Sequence, residues 1–299
     1  MTNTFTPRTP QGPARSVLFA PAHHARRVER ALTSGADIVV LDLEDAVPVA
    51  EKAAARVALQ TVLAAPTHPR LYVRLNAIDS AEFPADLAAV VGGHLEGLVV
   101  PKVESAAALA ALDEALQVAE QTPRRATHAL AVMPIIETAA GVVHCEAIAN
   151  ASTRVTRLIF GAADYSLDMN LSLDWSEDEQ ELLYARAKIA HASRAARREA
   201  PIDTATLQVR DLERFLRSAR NGARLGYQGK LCLHPDQIAP CHSVFTPSDA
   251  DLQHARHVLT AYAQAKAIGS AAIEVDGQFV DEPVAERARR VLQRAGLQE

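Results

Sequence analysis

The sequence predicts a (β/α)8 barrel, or TIM barrel, followed by a C-terminal extension made of helices and a hairpin that forms a lid. Eight short apolar segments recur along the chain, and most of them are followed by a segment with helical spacing. Several of these segments are rich in β-branched residues, which is typical of parallel strands buried on both faces. A doubly wound open sheet is the alternative, but it would usually have fewer strands, and no G-x-G-x-x-G loop follows the first segment.

The first four predicted strands occupy the first third of the chain. Residues 1–14 are rich in Thr and Pro and are predicted to form a flexible tail before the barrel begins at Arg15. The strands are predicted at 16–20, 37–43, 71–75 and 97–100. Helical segments begin near His23, Val49 and Glu104, and prolines such as Pro21 and Pro66 mark the breaks between elements.

The remaining four strands complete the predicted barrel, which is expected to span residues 15–246. They are predicted at 129–136, 155–160, 201–203 and 229–234, with helices at 177–198 and 209–221. The extension, 247–299, is predicted to contain a helix at 248–268, a hairpin at 271–280 and a last helix at 283–294. Asp276 and Gly277 are the residue types that tight hairpin turns require.

Two carboxylates follow neighbouring strands in the centre of the chain. Glu137 ends the fifth apolar run, and Asp164 comes shortly after the sixth. The carboxyl ends of parallel strands carry the chemistry in α/β barrels, so both acids are placed where a site would form. Oxygen ligands without Cys or His suit a hard cation, Mg²⁺ or Mn²⁺. The alternative is that each acid only caps the helix that follows it.

Composition limits the classes of function. The chain has 299 residues, of which 48% are hydrophobic, enough for one large core. A formal charge of -5 and 4% aromatic residues argue against nucleic acid as a partner. The three cysteines show no disulfide or zinc spacing, and no apolar run is long enough for a membrane span or a signal peptide. A cytoplasmic protein is therefore expected, with no membrane partner.

Several motifs, in this order and spacing, carry a resemblance to a known family. They are LFAP, SGADIVVLDLEDAV, YVRLN, VVPKVES, MPIIETAAGV, FGAADY, GKLCLHPDQI, FTPSDADLQHAR and VDGQFVDEPVAERAR. The chain resembles the HpcH/HpaI aldolase and citrate lyase β-subunit family from Arg15 to about Leu292. Within it, the malyl-CoA and citramalyl-CoA lyases are the most similar branch. The resemblance implies a barrel, a homo-oligomer (a trimer or hexamer), Mg²⁺, and a CoA or acyl-carrier thioester as substrate.

The resemblance also implies roles for particular residues. Glu137 and Asp164 match the metal ligands, and Glu137 also lies where the substrate binds. Arg74 matches the catalytic arginine that binds the thioester oxygen, and Glu44 and Asp45 match the acids near it in the substrate site. Asp281 matches the acid/base that reaches the active site of a neighbouring subunit, although its position alone predicts only a helix N-cap.

Other positions are open or depart from the family pattern. Lys52 and Lys102 are expected to form structural ion pairs, with substrate contact as the alternative. Where the family has Pro-Gly-Asp/Asn-Arg-Pro, this chain has Pro-Ala-His-His-Ala at 21–25, which bears on phosphate or CoA binding. His23 and His24 are expected to be exposed residues at a helix start. Ala163 replaces an acid beside Asp164, so the metal site should be less negative.

The resemblance implies a lyase that cleaves or forms a β-hydroxyacyl-CoA thioester through an enolate, with a 2-oxo acid as the other product or reactant. Two alternatives stay open. The chain could be a citrate lyase β subunit that acts on a thioester of an acyl-carrier protein within a complex. It could also be a catalytically weakened barrel with a binding role.

Overall fold

A computed structural model of the chain describes residues 12–67, 69–120 and 130–297. It divides into two compact units, with the boundary between His242 and Ser243. The predicted tail falls mostly on residues outside the described part. Its last residue, Ala14, is buried with the barrel interior, and the carbonyls of Gly12 and Pro13 accept hydrogen bonds from Arg70.

The first unit contains a closed barrel of eight parallel strands, so the predicted fold class is confirmed. Each strand pairs with the next, and the last strand pairs with the first. The strands are β1 (Ser16–Pro21), β2 (Ile38–Asp42), β3 (Arg70–Arg74), β4 (Gly97–Val100), β5 (Ala131–Ile136), β6 (Ile159–Phe160), β7 (Ile202–Asp203) and β8 (Gly229–Cys232). Because the barrel closes, none of these strands leaves an unpaired edge.

Helices follow the strands, as the alternating pattern predicts. They are α1 (Ala25–Leu32), α2 (Lys52–Leu63), α3 (Phe83–Val90), α4 (Ala106–Glu120), α5 (Ala139–Asn150), α6 (Ala162–Asp168), α7 (Leu183–Ala195), α8 (Leu212–Arg224) and α9 (Ile238–Phe245). Thr138 caps α5 by accepting a hydrogen bond from the Gly141 amide. The cap starts the helix at once after β5, which leaves Glu137 at the strand end.

Apolar side chains fill the barrel interior. Val17, Ile38, Val40, Tyr72 and Met133 are among the buried residues of this core. Alternate residues of a strand point to the same face, so the next positions in this series on β2 and β3 are Asp42 and Arg74. The interior face therefore changes from apolar to charged at the carboxyl ends of these strands.

The sixth strand and the helix α7 differ most from their predicted bounds. The sixth strand was predicted to begin at Val155, but this residue makes only an isolated bridge with Val132. Arg157 interrupts the apolar run, and its guanidinium binds the Glu199 side chain and the Ala200 carbonyl. The helix predicted from residue 177 begins only at Leu183. Glu179 has a left-handed backbone with φ 51°, which a right-handed helix cannot include.

The second unit forms its own small core. Its elements are α10 (Asp249–Ala267), β9 (Ile273–Val275), β10 (Gln278–Val280) and α11 (Glu282–Arg294). Ser248 and Asp251 form a capping box at the start of α10. Asp276 and Gly277 have φ angles of 50° and 78°, as a two-residue hairpin turn requires, so the predicted turn is confirmed. In the described ranges of both units, no helix has the length and apolar character needed to span a membrane.

Candidate active site

Charged side chains follow five consecutive strands of the barrel. Asp42 ends β2 and Arg74 ends β3, while Lys102 and Glu137 follow β4 and β5, and Asp164 follows β6. Because the strands are parallel, these positions share the carboxyl end of the barrel, where barrel enzymes place their active sites. These residues together with Glu44 are called the mouth cluster below.

Arg74 is held in a fixed orientation by Asp42. Its Nε and Nη2 atoms donate hydrogen bonds of 2.7 and 2.6 Å to the two carboxylate oxygens of Asp42, which is buried. The amides of Glu44 and Ala46 also donate to this carboxylate. The Phe19 ring lies 5.2 Å from the centre of the guanidinium. A bidentate pair of this kind fixes the plane of the guanidinium and leaves Nη1 for another acceptor.

Glu44 lies beside the remaining donor of Arg74. Its Oε2 forms an ion pair with Arg74 Nη1 at 3.0 Å, and among the described residues this buried oxygen has no hydrogen-bond donor. Its Oε1 accepts a 2.7 Å hydrogen bond from Lys102 Nζ. Burial raises the pKa of the Glu44 carboxyl, while the charges of Arg74 and Lys102 oppose that rise. Glu44 is thus where the resemblance placed it, near the arginine.

Asp45 lies at the edge of this arrangement. Its side chain is exposed, and its carboxylate is 3.6 Å from Lys102 Nζ. In the part of the chain that the structure describes, no ion pair joins Asp45 to Arg74. Asp45 is therefore paired with Lys102 and not with the arginine that it was expected to accompany. Its contact with substrate stays a prediction.

Lys102 connects the two sides of the mouth cluster. Its backbone amide donates a 2.7 Å hydrogen bond to Glu137 Oε1, and its ammonium binds Glu44. Burial acts to lower the pKa of Lys102, but the hydrogen bond to Glu44 and the charge of Glu44 outweigh it, and the net effect raises this pKa to about 12. The ammonium therefore stays charged at neutral pH.

Glu137 and Asp164 form the acidic side of the mouth cluster. Burial raises the pKa of Glu137 to about 8, and the negative charge of Asp164 adds to the rise. A Cβ atom on Gly161 would lie 2.5 Å from Glu137 Oε2, so the glycine leaves the room that this carboxylate occupies. Asp164 is half-buried and lies in the first turn of α6, so it belongs to a helix rather than to a loop after β6.

The acidic pair fits a divalent cation. Two carboxylates that repel each other in a buried setting are stabilised when a cation binds between them. Of the hydrogen bonds within the described residues, the one to Glu137 uses Oε1 and leaves Oε2 for a ligand. No group of three or more potential His, Cys, Asp or Glu ligands was found in the described ranges. A site with so few protein ligands suits Mg²⁺, which keeps several waters or takes substrate oxygens instead.

Lys52 and His23 both make contacts within the protein. Lys52 is buried, and its ammonium donates to the carbonyls of Leu43 and Glu44 and to the Asn76 side chain. Because these partners are uncharged, the expected ion pair of Lys52 is not present among the described residues; Lys52 supports the backbone that carries Glu44 instead of facing a substrate. The expectation of an exposed His23 was wrong: its side chain is 8% exposed, because it packs against the ring of His24 and lies 3.5 Å from Glu51.

Asp281 lies in the second unit, where it is the N-cap of α11. Its carboxylate accepts a hydrogen bond of 3.3 Å from the Val284 amide. The cap predicted from sequence position is therefore present. A carboxylate that caps a helix keeps free lone pairs, so the cap and a role in proton transfer are compatible.

Asp42 and Lys102 are the mouth-cluster residues that were absent from the predicted site. A signal for Asp42 existed, because it continues the alternation of Ile38 and Val40 toward the barrel interior. Lys102 follows the strand predicted at 97–100, which is a signal for the barrel mouth, but its contacts depend on a left-handed backbone with φ 52° that the sequence does not show.

Comparison with known proteins identifies the family. The sequence profile of the HpcH/HpaI aldolase/citrate lyase family matches residues 15–235. The chain belongs to this family. The family assignment made from the motifs is thereby confirmed, and the chain is a member of a family of lyases.

Members of the HpcH/HpaI aldolase/citrate lyase family resemble the chain over nearly its whole length. Citrate lyase subunit beta of Leuconostoc mesenteroides subsp. cremoris is 38% identical, over 94% of this chain and 93% of that protein. The L-malyl-CoA/beta-methylmalyl-CoA lyase of Cereibacter sphaeroides is 33% identical, over 99% of both. The crystal structure of the protein CitE from Mycobacterium tuberculosis, in complex with magnesium, acetoacetate and coenzyme A, has a TM-score of 0.79 and 33% identity, over 95% of this chain and 98% of that one.

Proposed function

We propose that the protein is a Mg²⁺-dependent lyase that cleaves or forms a β-hydroxyacyl-CoA thioester, such as malyl-CoA or citramalyl-CoA. The products of cleavage would be an acyl-CoA and a 2-oxo acid. The observation that carries the proposal is the mouth cluster, in which a fixed guanidinium lies beside an acidic pair suited to Mg²⁺ or Mn²⁺. Relatives that act on malyl-CoA or bind magnesium and coenzyme A support the same substrate class.

Arg74 would stabilise the enolate oxygen. When the bond between the α and β carbons of the acyl chain breaks, its electron pair stays on the thioester as an enolate. The β-hydroxyl loses its proton to solvent and becomes the carbonyl of the 2-oxo acid. Arg74 Nη1 is the donor that Asp42 leaves unused. A preorganised donor at such an oxyanion is worth about 3 to 4 kcal/mol.

The acidic pair would serve the other fragment. Glu137 and Asp164 would hold the cation, and the chemistry that Mg²⁺ supplies when bound is Lewis-acid polarisation of the oxygen that becomes the oxo group. Glu137 would also contact substrate, because a substrate oxygen bound to the same cation would lie beside it. Lys102 keeps Glu137 oriented through its backbone amide.

Asp281 would move the proton. In cleavage it would protonate the α carbon of the enolate, and in condensation it would remove that proton from the acyl-CoA methyl or methylene group. We propose that it acts on the site of a neighbouring subunit in a homo-oligomer, a trimer or hexamer. The support is the match of the segment around Asp281 to lyases of this family, together with the exposed Phe279 of the hairpin, which is 64% exposed in the isolated chain.

A citrate lyase β subunit is the second candidate. The higher identity to the Leuconostoc protein, 38% against 33% for the malyl-CoA lyase, favours it. In that case the thioester would be carried by an acyl-carrier protein. Both candidates use the same mouth cluster, so the carrier of the acyl group distinguishes them.

The test is a substrate screen with the purified full chain. Short acyl-CoA thioesters are combined with 2-oxo acids such as glyoxylate and pyruvate, with Mg²⁺ or with EDTA, and new β-hydroxyacyl-CoA is measured by mass spectrometry. The same acyl groups on an acyl-carrier protein form the second arm. Turnover of CoA esters that requires Mg²⁺ supports the first proposal, and turnover of the carrier-bound esters alone supports the second. A folded protein that turns over neither class would contradict both and leave a binding role.

A further inference from the structure

Lys102 makes two contacts with different parts of the mouth cluster. Its backbone amide donates to Glu137, and its ammonium donates to Glu44, each over 2.7 Å. Glu44 lies next to the Nη1 group of Arg74, at 3.0 Å. A single residue therefore connects the candidate metal ligand with the acid beside the candidate oxyanion donor.

The backbone of Lys102 is in an unusual conformation. Its φ of 52° lies in the left-handed region, which residues with a Cβ atom rarely adopt. With this backbone the amide faces Glu137 while the side chain faces Glu44. Strain of this kind persists only where the surrounding contacts hold it, and it often marks functional sites.

Glu44 needs the Lys102 ammonium to stay where it is. The carboxylate is buried, and in the described residues Lys102 is its hydrogen-bond donor at Oε1, while Oε2 has no donor. Arg74 Nη1 is close enough to become that donor after a small rotation. If Glu44 turned fully onto Arg74, it would occupy the group that the proposed mechanism assigns to the enolate oxygen.

We propose that Lys102 is a positioning residue: by binding Glu44 it keeps the ion pair between Glu44 and Arg74 out of hydrogen-bond geometry, so the hydrogens of Arg74 Nη1 stay available to substrate. The role rests on the proposed function for its effect on turnover, but its structural part does not. It differs from a direct substrate contact, because Lys102 acts here through Glu44. Its backbone amide meanwhile keeps Glu137 in place, whatever the side chain is.

The first test separates the side chain from the backbone. Lys102→Gly keeps the amide and suits the left-handed backbone, and Lys102→Met keeps most of the side-chain volume. Both variants should lower kcat by about 10²-fold, as when an oxyanion donor is lost, while the Mg²⁺ dissociation constant measured by calorimetry stays unchanged. Lys102→Arg should recover part of the rate. The matched control is Arg220→Met, which removes an exposed charge on α8 and should leave every value as in the wild type.

A double-mutant cycle tests whether Lys102 acts through Glu44. In Glu44→Ala no side-chain acceptor remains to close on Arg74, so adding Lys102→Gly should cause little further loss of rate. Losses that multiply would show that Lys102 contacts the substrate by itself, and would overturn the proposal. Wild-type rates in both Lys102→Gly and Lys102→Met would overturn it as well.

Crystal structures of the wild type and Lys102→Gly decide the structural part without turnover. The Glu44 carboxylate should move into hydrogen-bond geometry with Arg74 Nη1 in the variant, while Glu137 should stay bound to the amide of residue 102. A Glu44 that keeps its wild-type position refutes the positioning role. If the wild type turns over none of the thioesters, the proposed function fails, and this comparison still decides the role of Lys102.

Discussion

Asp42 determines how Arg74 is presented at the barrel mouth. The two side chains are cross-strand neighbours on β2 and β3, and both continue the interior face of their strands. Two hydrogen bonds to one carboxylate fix a planar guanidinium, whereas a lysine at the same position would offer a single rotating ammonium. The geometry of Arg74, and not its charge alone, is therefore expected to matter for activity.

Arg74→Lys tests that geometry. The variant keeps the positive charge beside Asp42 but loses the second donor, so we expect kcat to fall by about 10²- to 10³-fold, as for the loss of an oxyanion donor. Steady-state kinetics measures the loss, and the thermal midpoint shows whether the barrel remains folded. Wild-type kcat and KM in a folded variant would mean that Arg74 is only structural.

Glu137 gives Mg²⁺ binding a pH dependence. Its pKa is raised to about 8 in the metal-free protein, from an ordinary 4.5, so it is mostly protonated at neutral pH. Because Mg²⁺ binds the carboxylate form, its apparent dissociation constant should fall by up to about tenfold per pH unit as pH rises toward 8, and level off above. Calorimetry at several pH values measures this slope. Glu137→Gln should abolish binding, and a dissociation constant that does not change with pH would contradict the assignment.

The same shift predicts the stability of the metal-free protein. The folded state binds a proton at Glu137 more tightly than the unfolded chain does, so this contribution to stability is complete below pH 4.5 and is lost as pH rises through about 8. In EDTA, the thermal midpoint of the wild type should fall over this range more steeply than that of Glu137→Gln. Added Mg²⁺ should reverse the fall at the alkaline end, because it binds the folded state alone.

At the scale of elements, the hairpin of β9 and β10 leads directly into α11, and Asp281 lies at the junction. The turn at Asp276 and Gly277 fixes the register of the hairpin, and the cap fixes the first residue of the helix. The position of Asp281 is therefore well defined within its own unit. Such a definite position is what an acid/base needs if it is to meet one carbon atom.

Asp281→Asn distinguishes the cap from the acid/base. Asn caps helices about as well as Asp, so the thermal midpoint should stay the same. If Asp281 transfers the proton, the rate should fall by about 10²- to 10⁴-fold with Mg²⁺ binding unchanged. Asp281→Ala serves as the comparison, because loss of the cap should cost about 1 kcal/mol of stability in addition. Unchanged turnover in Asp281→Asn would restrict this residue to capping.

At the scale of the whole molecule, each unit exposes apolar side chains. Leu167 and Tyr184 in the first unit are 77% and 65% exposed, and Phe279 in the second is 64% exposed. Exposed apolar residues indicate an interface where they form a contiguous patch. In the proposed homo-oligomer, in which the second unit of one subunit meets the barrel of another, these side chains are candidates for burial.

Mixing two inactive variants tests whether the site is shared between subunits. Glu137→Ala lacks the proposed metal ligand, and Asp281→Asn lacks the proposed acid/base. After subunit exchange, up to about a quarter of the sites would combine an intact Glu137 with an intact Asp281 from a neighbour. Recovered activity in the mixture, measured against each variant alone, is the expected result. Native mass spectrometry verifies that subunits have exchanged. If activity does not recover after verified exchange, Asp281 acts within its own subunit or takes no part in the reaction.

The sequence by itself determined the barrel, the family and the strand ends at which Glu44, Arg74, Glu137 and Asp164 lie. Apolar periodicity indicates which segments are buried strands. The residue after a buried strand is positioned by that strand, so its location can be predicted from the neighbouring sequence. The hairpin turn could be predicted for the same reason, because Asp276 and Gly277 meet a backbone requirement within two residues.

The tertiary structure decided the pairing of these groups. Whether Asp42 binds Arg74 depends on the register between β2 and β3. Whether Lys102 reaches Glu44 and Glu137 depends on its left-handed backbone after β4 and on the pairing of β4 with β5. The low exposure of the His23 side chain could not be predicted from its neighbours in sequence, because Glu51 approaches it from the 3-10 turn before α2. The sequence places side chains along the chain, whereas hydrogen-bond partners and pKa values depend on which strands lie side by side, and only the closed barrel determines that.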